Sequence, residues 1–117
     1  MADPNLSFGF TDEQKLLRDS VLGTLQRVLP PEKIRELDKQ GEYPFEACAA
    51  LAEAGVNGIV YPAEYGGQDG SFTDLAVLAE ALAYHYGGIA QAWGITCIYA
   101  GMHIALHGSD QMKREIL

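Results

Sequence analysis

Between Ala81 and Ser109 the chain contains no Asp, Glu, Lys or Arg. A helix built from such a run has no charged face to turn toward water, so it must be enclosed, either by the rest of a fold or by a bilayer. Ile89 to His107 is long enough to raise the second option, because a membrane span needs about 20 apolar residues. Gln91, Thr96 and His103 interrupt the run and no basic flank anchors it, so the segment reads as the central helix of a bundle and not as a span.

The remaining segments supply the helices that would enclose it. Thr11 followed by Gln14 is a capping box, after which Leu17, Val21, Leu25 and Val28 recur at helical spacing until Pro30 and Pro31 stop the run. Pro31 suits a first helical turn and Gly41 a helix end, which predicts a short, exposed second helix over "EKIRELDKQ". Pro44 opens a third helix, "FEACAALAEA", and Gly55 ends it. Ser71 with Asp74 forms a second capping box ahead of the apolar stripe Leu75, Leu78, Ala79 and Leu82. Ser109 caps a last helix, "QMKREIL", for which no terminator follows before Leu117. This leads to the expectation that residues 1–117 are one domain of a larger parent chain, ending before the next domain. The expected fold is therefore all-α, an orthogonal or up-and-down bundle of about six helices with one enclosed central helix.

Several chemistries have little support. The formal net charge is -8 and the basic residues are interleaved with acidic ones, which argues against nucleic-acid binding. Cys48 and Cys97 lie far apart in apolar stretches with no metal-ligand spacing around them, and read as two buried thiols. His85, His103 and His107 have no Glu in a His-Glu-x-x-His pattern, so they read as packing or helix-end histidines, with no metal site expected. No nucleophile elbow marks a triad. The opening "MADPNLSFGF" has neither a secretory nor a transit character, which makes a cytoplasmic location the expectation.

"YPAEYGGQDGS", residues 61 to 71, is the one glycine-rich stretch. It lacks the Lys of a phosphate loop and the strand of a dinucleotide fingerprint. "VNGIVYP" before it reads as an extended link, and the paired Gly66 and Gly67 read as a sharp reversal feeding the fourth helix. Tyr61 and Tyr65 are expected to pin that reversal with buried rings and exposed hydroxyls.

Taken in order, "FTDEQKLLRDSV", "YPFEACAALAEAGVNGIVYPAEYGGQDGS", "LAEALAYHYGGIA" and "HGSDQMKREIL" resemble the amino-terminal helical domain of the acyl-CoA dehydrogenase family. The most specific part is Pro-x-Glu-Tyr-Gly-Gly at Pro62 to Gly67 followed by Gly-Ser-Asp-Gln-x-Lys at Gly108 to Lys113. The resemblance implies a parent enzyme with a middle β domain and a second helical domain, and FAD bound between those two, outside this segment. It implies α,β-dehydrogenation of an acyl-CoA, with the catalytic base outside this segment, so no catalytic or cofactor-binding residue is expected here. An electron-transfer flavoprotein or similar acceptor and a homo-oligomeric parent are implied as partners.

This domain's implied share is subunit packing and a wall of the acyl pocket, with Gln91, Ala92, Ile95 and Tyr99 at the acyl-contacting positions. "HYGGIAQAWG" is about one residue out of step with some members, and one residue of slip turns a helical side chain by about 100°. A flavin-dependent monooxygenase or a nitroalkane oxidase shares the fold. A free-standing helical module that binds a partner protein is an alternative of another class.

Overall fold

A computed structural model describes residues 9–117, so most of the "MADPNLSFGF" stretch that bears on targeting lies outside the described residues. Six helices follow one another: α1 (Asp12–Val28), α2 (Pro31–Gln40), α3 (Phe45–Glu53), α4 (Phe72–His85), α5 (Gly87–His107) and α6 (Asp110–Ile116). No strand occurs among the described residues, as the helical periodicity predicts.

Both predicted capping boxes form. Thr11 Oγ1 accepts from Gln14 N at 3.1 Å while Thr11 N donates to Gln14 Oε1 at 3.0 Å. Ser71 and Asp74 make the same reciprocal pair at 3.1 and 2.7 Å. The two boxes are joined, because Gln14 Nε2 donates to Asp74 Oδ1 at 2.9 Å. At the other end of the pair, His85 Nε2 lies 2.8 Å from Leu29 O, and the ring must donate because a carbonyl only accepts. Linked N-terminus to N-terminus and C-terminus to C-terminus, α1 and α4 run parallel.

The core fills a ring of four helices in which α1 packs on α4, α4 on α5, α5 on α3 and α3 on α1. Leu25, Leu29, Leu51, Leu78, Leu82 and Ile89 are its fully buried side chains. The second helix begins with Pro31, ends at Gly41 and buries no residue completely, as expected.

Two expectations need correction. The link from Val56 is not extended: Val56–Gly58 and Ala63–Tyr65 are single 3-10 turns. Side chains three apart eclipse in a 3-10 turn, so Val56 and Ile59, each 4% exposed, reach the core together. An extended strand would have sent them to opposite sides. The second correction concerns α5, which is not enclosed by this chain. Only 28% of its apolar stretch is buried. The domain measures 52 × 41 × 19 Å, and 19 Å accommodates two layers of helices about 10 Å across, which leaves every helix one outer face.

Between α3 and α4 the chain folds back on itself. Gly67 N donates to Pro62 O, Gln68 N to Gly58 O, Asp69 N to Tyr61 O and Gly70 N to Ile59 O, at 2.7 to 3.1 Å. Gly66 sits at φ 89, where a side chain is strained, and a Cβ on Gly67 would collide with the Tyr61 backbone. The paired glycines are thus a reversal, as read from the sequence. Tyr61 departs from its expected role: its hydroxyl is buried and donates to the Cys97 carbonyl of α5 at 2.5 Å.

Two outcomes are expected. Leu82→Ala removes a fully buried side chain and should lower unfolding stability by about 2–5 kcal/mol in urea titration, whereas exposed Leu16→Ala should change it by no more than about 0.5 kcal/mol. The second concerns alkaline pH. Burial, with Cys97 nearby, raises the Tyr61 hydroxyl from 10.0 to about 12. Burial, with Cys48 nearby, raises the Cys97 thiol from 9.0 to about 11. The folded state therefore holds these protons more tightly than the unfolded state. Their contribution is fully present below about pH 9 and is lost as the pH rises toward the folded values of about 11 and 12. Urea midpoints should fall across that window, less steeply in Cys97→Ala and in Tyr61→Phe, each compared with its own midpoint at neutral pH.

Candidate functional site

The run without charge that dominates the sequence becomes α5, a helix with two unlike faces. Ile89, Trp93 and Cys97, at 0, 4 and 6% exposure, continue into buried Gly101 and face the bundle. Ile95, Tyr99 and Leu106, at 50, 66 and 66%, face outward. Gln91 and His103 lie on the exposed side with them.

Of the four residues singled out from the sequence, the structure brings Gln91, Ile95 and Tyr99 to this outer face at regular spacings of four. Ala92 is turned inward at 8% exposure and lines a small cavity of about 50 Å³ with Cys48, Trp93 and Cys97. The middle of α5, Gly94–Gly101, is a π-helical segment with i→i+5 bonding, which the sequence reading did not foresee. Its only advance signal is the four-residue spacing itself.

The outer face has a narrow chemical range. Thr96 spends its hydroxyl on Ala92 O at 3.0 Å, and the His103 ring donates its Nδ1 proton to the Tyr99 carbonyl, which leaves Nε2 as an acceptor. With no carboxylate from Ala81 to Ser109, the face offers apolar contact, the Gln91 amide, the Tyr99 hydroxyl and the His103 imidazole. A cleft of about 260 Å³ runs between the reversal and α5, lined by Asn57, Tyr61, Thr96, Cys97, Ala100 and Ile104 among others. This is below the roughly 300–1,000 Å³ of a site that surrounds a drug-sized ligand, so the cleft does not enclose one by itself. By length and composition alone α5 also suffices to cross a bilayer, but its inner stripe is committed to the bundle core.

The glycine-rich reversal is not a phosphate cradle. The amides of Gly67, Gln68, Asp69 and Gly70, which would have to point at an anion, all donate to carbonyls of the preceding turn. A flavin pyrophosphate therefore has no seat on this loop. Among the described residues no group of three or more metal-ligating side chains gathers.

The two most specific sequence motifs meet in space. The Tyr65 hydroxyl of the first donates to Asp110 Oδ1 of the second at 2.9 Å, and Arg114 Nε donates to Asp110 Oδ2 at 2.9 Å. Lys113 Nζ and Arg114 Cζ lie 5.6 and 5.3 Å from the Tyr65 ring centroid. The Arg114 and Tyr65 hydrogen bonds hold the Asp110 carboxyl below its usual range, and the bond to Asp110 raises the Tyr65 hydroxyl. The cluster ties the start of α6 to the reversal.

The family described as "Acyl-CoA dehydrogenase, N-terminal domain" matches residues 11–117. A probable acyl-CoA dehydrogenase of Bacillus subtilis is 24% identical over 112 residues, covering 96% of this chain and 29% of the relative. Mitochondrial isovaleryl-CoA dehydrogenase of Bos taurus is 29% identical over 111 residues, covering 93% and 26%. A probable acyl-CoA dehydrogenase of Escherichia coli K12 is 37% identical over 62 residues, covering 53% and 16%. No solved structure gives a significant match. The chain spans between a quarter and a third of the length of the first two relatives. With nearly all of its length matched by that one domain family, the chain belongs to the acyl-CoA dehydrogenases, as their amino-terminal helical domain.

Proposed function

We propose that this domain serves an FAD-dependent acyl-CoA dehydrogenase by forming one wall of the acyl pocket with the outer face of α5. The observation that carries the reading is the uncovered face of Ile95, Tyr99 and Leu106, apolar and without a charged residue along its whole length. Such a face suits an acyl chain, which is recognised by apolar contact and shape. Gln91 would lie at its polar end, and Ala92, just behind it, would set how closely the helix packs on the core.

The reaction in this reading is α,β-dehydrogenation of an acyl-CoA thioester. The flavin and the proton-abstracting carboxylate are contributed from outside residues 1–117, consistent with the occupied amides of the reversal and the lack of a carboxylate on α5. The proposed assembly is a homo-oligomer in the cytoplasm that passes electrons to an electron-transfer flavoprotein or a similar acceptor, and this domain takes part in subunit packing.

Size at Tyr99 should set preference more than chemistry, since a methylene gained or lost in an apolar pocket is worth roughly 1–3 kcal/mol. In the flavin-loaded full-length enzyme, Tyr99→Ala should shift relative kcat/KM toward longer or bulkier acyl groups by about tenfold, with flavin content intact. Trp93→Ala, on the buried side of the same helix, should instead cost about 3–5 kcal/mol of stability. A chain-length profile unmoved by Tyr99→Ala would remove Tyr99 from the pocket. The 117-residue chain alone should be colourless, and stoichiometric flavin retained by it would overturn the division of labour.

A further inference from the structure

Within α5 the i→i+5 ladder of Gly94–Gly101 gives way to ordinary bonding at Met102, whose N–H donates to Ile98 O. The Cys97 carbonyl lies inside this segment and is buried. The group that reaches it is the Tyr61 hydroxyl, at 2.5 Å. Tyr61 is itself fixed from two sides. Gly67 lies so close to its backbone that a Cβ there would collide, and a Cβ on Gly101 would land on its hydroxyl. A residue from the reversal is thus fitted to a backbone carbonyl inside the π segment of α5.

Resting on the pocket-wall reading above, we propose that Tyr61 is a positioning residue: by donating to the Cys97 carbonyl it pins the π segment in place and so fixes the register in which α5 presents Ile95 and Tyr99. Where an extra residue is absorbed decides the facing of the residues around it, since one residue of shift turns a helical side chain by about 100°. Trp93 and Cys97 contribute bulk to the core, and bulk tolerates sliding better than a directed hydrogen bond does.

The test uses the intact, flavin-loaded protein with Tyr61→Phe, which keeps the ring and removes the donor. Leu82→Val, a core change distant in sequence from this contact, serves as the comparison for general loss of stability. Amide exchange at Tyr99–Met102 should rise about tenfold in Tyr61→Phe relative to the amides of α1. The ratio of kcat/KM for a long and a short acyl-CoA should move by about threefold or more, while Leu82→Val leaves that ratio in place. Unchanged exchange in Tyr99–Met102 overturns the proposal. So does a ratio that is unmoved in Tyr61→Phe but moved by Tyr99→Ala. If Tyr99→Ala itself leaves the ratio unmoved, the pocket-wall reading fails on its own. Exchange then decides the role of Tyr61 in holding the register: acceleration confined to the π segment sustains it, and uniform acceleration overturns it.

Discussion

The hydrogen bond from Gln14 to Asp74 joins two helix N-termini, and the arrangement of the other helices follows from it. Parallel helices place like ends of their dipoles side by side, which is unfavourable unless negative charge lies between them. Asp74 supplies that charge. Its carboxylate accepts from Gln14 on one oxygen and from Ser71 on the other, and these bonds, that from Gln14 foremost, hold its pKa below the usual value. At the opposite ends, the His85 ring donates to the carbonyl of Leu29, which caps the end of α1. With α1 and α4 fixed as a parallel pair, α3 and α5 close the ring around Leu25, Leu78 and Leu82. A ring of four helices with α2 and α6 at its margins is a slab, and a slab leaves α5 with an outer face.

The π segment explains how that face stays continuous. Residues four apart drift by about 40° per step around an α-helix, so Ile89, Trp93, Cys97 and Gly101 would wind out of the core within three steps. Loosening the middle of the helix to i→i+5 bonding adds residues per turn and takes back the drift. The inner stripe remains buried, and on the other side Gln91, Ile95, Tyr99 and His103 remain exposed. The Tyr61 hydroxyl donates to the Cys97 carbonyl inside this loosened segment, so the reversal is tied to the part of α5 that sets its facing.

Local chemistry made much of this legible in the sequence. Thr11 with Gln14, and Ser71 with Asp74, announce their helices through side chains that satisfy amides three residues away. Pro31 and Gly41 bound α2 by backbone geometry alone. The joining of the two caps was not legible, because no local pattern says that Gln14 will lie beside a residue sixty positions on. The absence of charge over Ala81–Ser109 showed that α5 avoids water, yet composition does not say what covers it, and enclosure by this chain was the wrong inference. Gln91, Ile95 and Tyr99 shared a face under either helical geometry, whereas Ala92, one residue on from Gln91, falls on the buried side. Tyr61 was read as a loop pin with its hydroxyl in water, because no local pattern says that Cys97, 36 positions on, will lie beside it.

Composition and site chemistry converge on the outer face of α5. A Lys or Glu between Gln91 and Leu106 would be tolerable in this slab, since the face is open. It would be costly once something apolar lay against it, because a charge removed from water without a partner shifts its pKa or opposes the contact. A charge-free face is therefore not demanded by the fold of these residues, and it suits an apolar covering. In the role proposed here, the covering groups are an acyl chain and the rest of the parent enzyme. A wall without carboxylates or ammonium groups would also leave the field around a bound thioester to groups placed deliberately elsewhere, in a low-dielectric site where each counts for more than it would in water. The domain's contribution to chemistry would then be what it withholds: this helix brings no carboxylate or ammonium group to the face, the Thr96 hydroxyl is bonded back to the backbone, and the loop amides are spent on their own turn.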